Sequence, residues 1–286
     1  MESKLIIIIL MAFMFSGCGI AYGKTDTKIE VSLYSENTIK LKGKYNLDIS
    51  CDVGNIDIYT WKRDEIKIEI TRRASGTYKR ELLMEKLENF DIEIKTDNDT
   101  VFLKSRYKGG NKDSYGAIVD YTVYMPKAID YMNYRVDEGK LKLYDDMQGV
   151  LNAELDNTDI QINRFDGILN ICGEEGDVKI SNGKIKGNSE VNKKVGNIII
   201  KAEFDENGEY SMCTGLGHIE LLAHARSKIN FETVGELAIN EFDENVFKTS
   251  NDTNRKQKQG YSSSNEEKVA KVKLKSELGK ISIRKY

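Results

Sequence analysis

Residues 158 to 180 read TDIQINRFDGILNICGEEGDVKI: apolar-x-apolar, a corner of glycine or a small polar residue, then the same phrase again. This beat constrains the fold more than any other feature of the chain. Written in phase from Tyr134, it runs through YRVDEGKLKL, MQGVLNAEL and FDGILNICGEEGDVKI to VKLKSELGKISI. One set of corners falls at Gly139, Thr158, Gly176, Gly196, Gly217, Gly235 and Gly279, and a second at Gly149, Gly167, Gly187 and Gly208. The full repeat is therefore 18 to 21 residues, two short strands each. Between corners the alternation has period two, as at Leu141 and Leu143, Ile160 and Ile162, Val178 and Ile180, Ile198 and Ile200, Ile219 and Leu221, Leu237 and Ile239, and Ile281 and Ile283. One face of each strand is expected to be buried and the other wet.

A fixed period of this length marks units that cannot bury an apolar face alone and stack on their neighbours. The pattern predicts an all-β chain folded as a single β-solenoid, β-helix-like, with 18 to 21 residues per coil. Glycine suits the corners because it takes positive φ without a Cβ clash. Met147, Phe165 and Ile185 each precede a second-set glycine by two residues, which predicts an inward corner ladder.

Composition agrees with strands. Proline occurs once and glycine 23 times in 286 residues, and Ile, Val, Leu and Tyr are plentiful. The 43 basic and 46 acidic residues are spread evenly and leave a formal charge of -3, so no basic stripe is available to neutralise phosphates and nucleic acid is not an expected partner.

The first residues, MESKLIIIILMAFMFSGCGIAYGK, place Lys4 before an apolar run from Leu5 to Phe15. That run is too short to span a bilayer, which takes about 20 residues, and reads as an export signal. Phe15-Ser16-Gly17-Cys18 resembles the bacterial lipoprotein box, with leucine replaced by phenylalanine. The resemblance implies cleavage before Cys18, lipidation of its thiol and an extracytoplasmic protein anchored to the cell membrane. Cleavage after Ala21-Tyr22-Gly23, giving a secreted protein, is the alternative, and an uncleaved segment the third. Residues 1–17 are thus expected as signal peptide and 18–40 as tether. Cys51, Cys172 and Cys213 are expected as free thiols, since their spacing fits no metal motif and only His218 and His224 could join them. No metal or cofactor is expected.

Residues 41–130 are read as an N-terminal β region. LDISCDVGNIDIYTW and EIKIEITRR keep the alternation, with Cys51 in the inward phase that Val136 takes later. YKRELLMEKLENF carries Leu82, Leu83, Leu87 and Phe90 at helical spacing, which predicts one amphipathic helix over 78–90 capping an open end of the strands. Residues 131–286 form the repeat proper. Within them, Phe242 to Lys268 is a polar loop inserted before the last coil.

The stretch from Asp120 to Ile162, with its Met125-Pro126-Lys127 junction, and the closing Gly279 to Ile283 strand are similar to the putative-adhesin family of bacterial extracytoplasmic β-solenoid domains. The resemblance spans about Leu41 to Tyr286 and implies no catalytic residues. The long loop departs from the pattern.

The expected function is a non-catalytic, membrane-anchored, adhesin-like module facing a wall polymer, a host surface or another envelope protein. A polysaccharide-binding or polysaccharide-acting β-helix is the alternative, with abundant acidic corners, including Asp145, Asp146, Asp166, Glu174, Glu175, Asp205 and Glu206, as its candidate carboxylates, among which no pair stands out. Calcium-stabilised folding would use the same corners, and a separate envelope-stress partner chain is a further possibility. Tyr59, Trp61, Tyr115 and Tyr121 are the candidate ligand contacts if they stand exposed; packing against the first coil is their competing role.

Overall fold

A computed structural model describes residues 28–109, 116–242, 247–249, 258–259 and 268–286. The N-terminal part is built from β1 (Ile29–Lys40), β2 (Asn46–Trp61), β3 (Glu65–Gly76), α1 (Arg80–Glu88), β4 (Phe90–Asp97), β5 (Thr100–Tyr107) and β6 (Ala117–Pro126). The repeat contributes β7 (Ala128–Glu175), β8 (Val178–Ile185), β9 (Asn188–Val195), β10 (Ile198–Phe204), β11 (Glu209–Leu216) and β12 (Ile219–Ala223). The C-terminal part adds β13 (Ile229–Asn240), the short β14 (Phe247–Thr249) and β15 (Lys258–Gln259), and β16 (Ala270–Lys285). No helix among the described residues is long and apolar enough to cross a membrane.

The expected β-solenoid is not what these strands form. Seven of them pair in a closed ring, β7-β8-β10-β12-β16-β11-β9 and back to β7, every pairing parallel, which makes a closed parallel barrel. The reason lies in β7 and β16. Each runs on through its glycine corners instead of ending there, so it serves two walls. β7 pairs β8 from Ile160 to Gly167 and then β9 from Asn170 to Glu175. β16 pairs β11 from Lys271 to Leu278 and then β12 from Ile281 to Lys285. These two long strands join the walls at both ends and close the ring. The repeat length survives as register, with Ile160 beside Val178, Val178 beside Ile198, and Ile198 beside Ile219.

Period-two alternation fixes the core as expected for most strands. Leu141, Leu143, Ile160, Ile162, Val178, Ile180, Ile198, Ile200, Ile219, Leu221, Ile281 and Ile283 are all buried, each side chain contributing about 1.5–3 kcal/mol of transfer free energy. Leu237 and Ile239 are only partly buried because β13 lies outside β16. Met147, Phe165 and Ile185 are buried. At the corner, Gly196 has φ +142, and a Cβ there would fall on the Gly176 carbonyl, so the residue must be glycine for two reasons at once. Nine of the ten expected corner glycines have positive φ, the exception being Gly208.

Two further expectations shift. β16, last in sequence, is slotted between β12 and β13, so the polar segment returns the chain to the inside of a strand it has already laid down. Residues 29–40, read as tether, are β1, held antiparallel along the whole of β3. The helix spans Arg80–Glu88 and packs on β1 and β3 through Leu83 and Leu87, while Leu82 is exposed and Phe90 opens β4. The i, i+4 pair alone marks its buried stripe.

Candidate functional site

Two outward faces carry chemistry, each made of side chains in register across neighbouring strands. On β6, β2 and β7, Tyr59 lies beside Tyr124 and its ring also stacks on Tyr144. The rings of Tyr59 and Tyr144 are 4.6 Å apart at 4°, and those of Tyr59 and Tyr124 are 5.5 Å apart at 22°. Trp61 continues the stack 5.5 Å from Tyr124, its indole N–H donating to the Glu65 carbonyl at 2.8 Å, and the Arg63 guanidinium caps it at 4.9 Å. Each ring pair contributes about 0.5–1.5 kcal/mol beyond its buried area. The faces of Tyr59 and Tyr124 are therefore occupied by their neighbours, leaving ring edges as what they can offer.

Of the expected contact residues, Tyr59 and Trp61 come together here. Tyr121 turns into the core at 1% exposure, and burial drives its phenol well above the usual range. Tyr115 and the lipidation candidate Cys18 lie outside the described residues. Tyr124 and Tyr144 complete the stack but were not singled out from the sequence. Strand phase could have found Tyr124, because Tyr121 shares the phase of buried Val119 and Val123 and Tyr124 has the opposite one.

The second face is polar. Asp48 of β2 pairs with Asn133 of β7, and the amides of Asn133, Asn152 and Asn170 form a ladder, each donating to the one before at 2.9 Å. The same row runs on through Glu190 of β9, Ser211 of β11, Lys273 of β16 and Glu232 of β13. A parallel row, Asn188, Glu209, Lys271 and Asn230, flanks it on these last four strands. Between the two rows lies an open groove of about 710 Å³. Further along, a hollow of about 290 Å³ separates the Asn133 and Asn152 row from Arg135 and Glu154.

Four of the seven acidic corners are engaged with other groups. Asp145 accepts the Thr60 N–H at 3.0 Å, Asp166 pairs with Lys186, and Glu174 pairs with Lys194. Asp146 lies between Lys127 and Arg164, and the Lys127 hydrogen bond holds its carboxyl below the usual range. A carboxyl held ionised in this way is a poor general acid. Among the described residues no group of three or more His, Cys, Asp and Glu is placed to hold a metal ion. Cys51, Cys172 and Cys213 are free.

A buried cation stands beneath the polar face. Lys193 is 1% exposed, and its ammonium donates to the carbonyls of Leu155 at 3.0 Å and Glu175 at 2.7 Å. It occupies the position taken by Thr214 and Ser276 on the next strands, whose hydroxyls donate to the Gly196 and Gly217 carbonyls at 2.8 Å. Gly173 opposite it leaves room for the long side chain.

No family model and no curated protein matches this chain. Similar solved structures include one described as a "putative cell adhesion protein" from Clostridium sporogenes, 15% identical, covering 88% of this chain and 99% of that one with a TM-score of 0.37. Another, described as a "putative adhesin" from Parabacteroides distasonis, is 12% identical over 88% of this chain and 97% of that one, with a TM-score of 0.41. A third, a "putative lipid binding protein" from the same organism, is 10% identical over 88% of this chain and 96% of that one, with a TM-score of 0.35.

Proposed function

We propose that the protein is a non-catalytic interaction module of the bacterial envelope, exported by residues 1–17, tethered through a lipidated Cys18, and presenting its outward faces to an extended partner. The observation that carries this reading is the arrangement of both faces as long in-register rows. Side chains aligned across many strands suit a partner that lies along them, whereas catalysis needs a few groups converging on one bond.

Two measurements test it. Cys18→Ala should move the protein from the membrane pellet to the soluble fraction, and unchanged sedimentation with the membrane would remove the tether. Incubating the chain from residue 24 onward with insoluble cell wall and a polysaccharide panel should give retention without new chain ends. Release of new ends would replace this reading with an enzymatic one.

A further inference from the structure

The polar groove lies between two rows of side chains and crosses β7, β9, β11, β16 and β13. We propose that it is a binding site for a neutral, hydroxyl-rich glycan chain lying across the strands; this deepens the interaction-module reading and rests on it.

The first argument is charge. Lys271 pairs with Glu209 at 2.9 Å and Lys273 with Glu232 at 3.6 Å, so the cations of the groove are matched by carboxylates across neighbouring strands. A polyanion would have to displace the glutamates and a polycation the lysines. Glu190 adds a third carboxylate to the two lysines, so a polyanion is repelled and a polycation still has to break both ion pairs to be matched.

The second argument is hydrogen-bond type. Beside the ion pairs stand Asn170, Asn188, Ser211 and Asn230, each able to donate and accept. A sugar hydroxyl has the same dual character, and a row of amides and hydroxyls can meet it in either sense.

The third argument is spacing. Neighbouring strands lie about 4.8 Å apart, close to the length of one sugar residue in an extended chain, and four such steps give a site of about 19 Å. Successive sugars would meet successive strands. The outward side chains of the groove include no aromatic ring, so binding rests on polar contacts, each of small net worth because water competes for it. A single sugar gains little, whereas a chain spanning several strands adds such contacts within one binding event. The site is one for oligomers.

The test titrates purified protein calorimetrically with neutral hexasaccharides of β-1,4-glucan, β-1,3-glucan, β-1,4-xylan and chitin type, with glucose and with polygalacturonate. At least one hexasaccharide should bind, with glucose weaker by about tenfold or more and polygalacturonate not preferred. Ser211→Trp, which fills the groove from outside the core, should weaken that binding about tenfold or more, and Asn170→Leu should weaken it too, while Leu82→Ala, exposed on α1, leaves it unchanged. A melting temperature for Ser211→Trp matching the parent shows that the fold is intact, and Asn170→Leu carries the test if it does not. Glucose binding as well as the hexamers, preference for polygalacturonate, no hexamer binding, or full affinity in both groove variants overturns the assignment. Retention on cell wall that survives Ser211→Trp would sink this site and leave the interaction module standing. Absence of retention on any wall or polysaccharide would sink that broader reading instead.

Discussion

The Nδ1 of His218 accepts the backbone N–H of Lys280 at 2.9 Å, across a gap of 62 residues in sequence. It is the last link of a corner ladder. Asp159 accepts the Asp177 N–H at 3.0 Å, Asp177 accepts that of Asn197 at 2.7 Å, and Asn197 accepts that of His218 at 2.9 Å. Each residue just after a corner thus caps the backbone of the next strand, and His218 does the same for β16, the strand that closes the ring.

An imidazole accepting at Nδ1 carries its proton on Nε2 and is neutral. His218→Ala should therefore lower stability by about 0.5–1.5 kcal/mol, and His218→Asn should recover most of it by acting as Asn197 does. Urea unfolding reads both. Equal midpoints for the alanine and asparagine variants would show that the cap contributes nothing.

Gly196→Val is expected to cost at least about 1 kcal/mol from the positive φ alone, with a further penalty because the obstructing atoms belong to the Gly176 carbonyl and cannot rotate away. An unchanged urea midpoint would mean that the corner relaxes into a conformation open to β-branched residues.

Both of these corners were legible in the sequence, and so was the inward set of Ile, Val and Leu, because glycine spacing and period two are local properties. Closure was not. Nothing in the beat of VKLKSELGKISI says that it slots between β12 and β13, since an apolar-x-apolar strand fits beside any other. Nor does local pattern show that β7 and β16 pass through their corners and serve two walls. The aromatic stack was half visible for the same reason: Tyr59 and Trp61 are neighbours in sequence, whereas Tyr124 and Tyr144 join them only through strand register. Lys193 was hidden because one lysine in a polar-looking strand, KKVG, gives no sign that its inward phase is occupied by a charge.

Lys193→Met removes the donor to two carbonyls and should cost about 1–3 kcal/mol, since a buried acceptor left unpaired loses its hydration without replacement. The neighbouring Lys194→Met is the control. Lys194 forms an exposed pair with Glu174, a kind of contact worth about 0–1 kcal/mol, so its loss should be small. Equal destabilisation of the two variants in urea would show that the buried ammonium has no structural role.

Thiol chemistry should separate the cysteines. Burial pushes the Cys51 thiol up to about 12, which leaves almost no thiolate near neutral pH, and its side chain is 1% exposed. Cys172 is exposed, although partial burial and the Glu154 and Glu190 carboxylates raise its thiol as well. Iodoacetamide followed by peptide mass spectrometry should modify Cys172 in the folded protein and Cys51 only after denaturant is added. Labelling of both at one rate under native conditions would contradict the burial of Cys51.

Asp137 supplies a pH dependence whose sign follows from its surroundings. Desolvation, and then the Asp52 and Asp156 carboxylates, raise its carboxyl above the ordinary range in the folded chain. The unfolded chain gives up that proton more readily, so ionisation favours unfolding: the penalty is fully present above the folded value and disappears as pH falls below the unfolded one. Asp137→Asn abolishes the charge at every pH. Its melting temperature should exceed that of the parent near pH 7, and the gap should narrow as pH is lowered into the acid range, where the parent carboxyl takes up its proton. A gap of the same size at both ends would trace the change to the amide's own contacts and remove carboxylate repulsion as its cause.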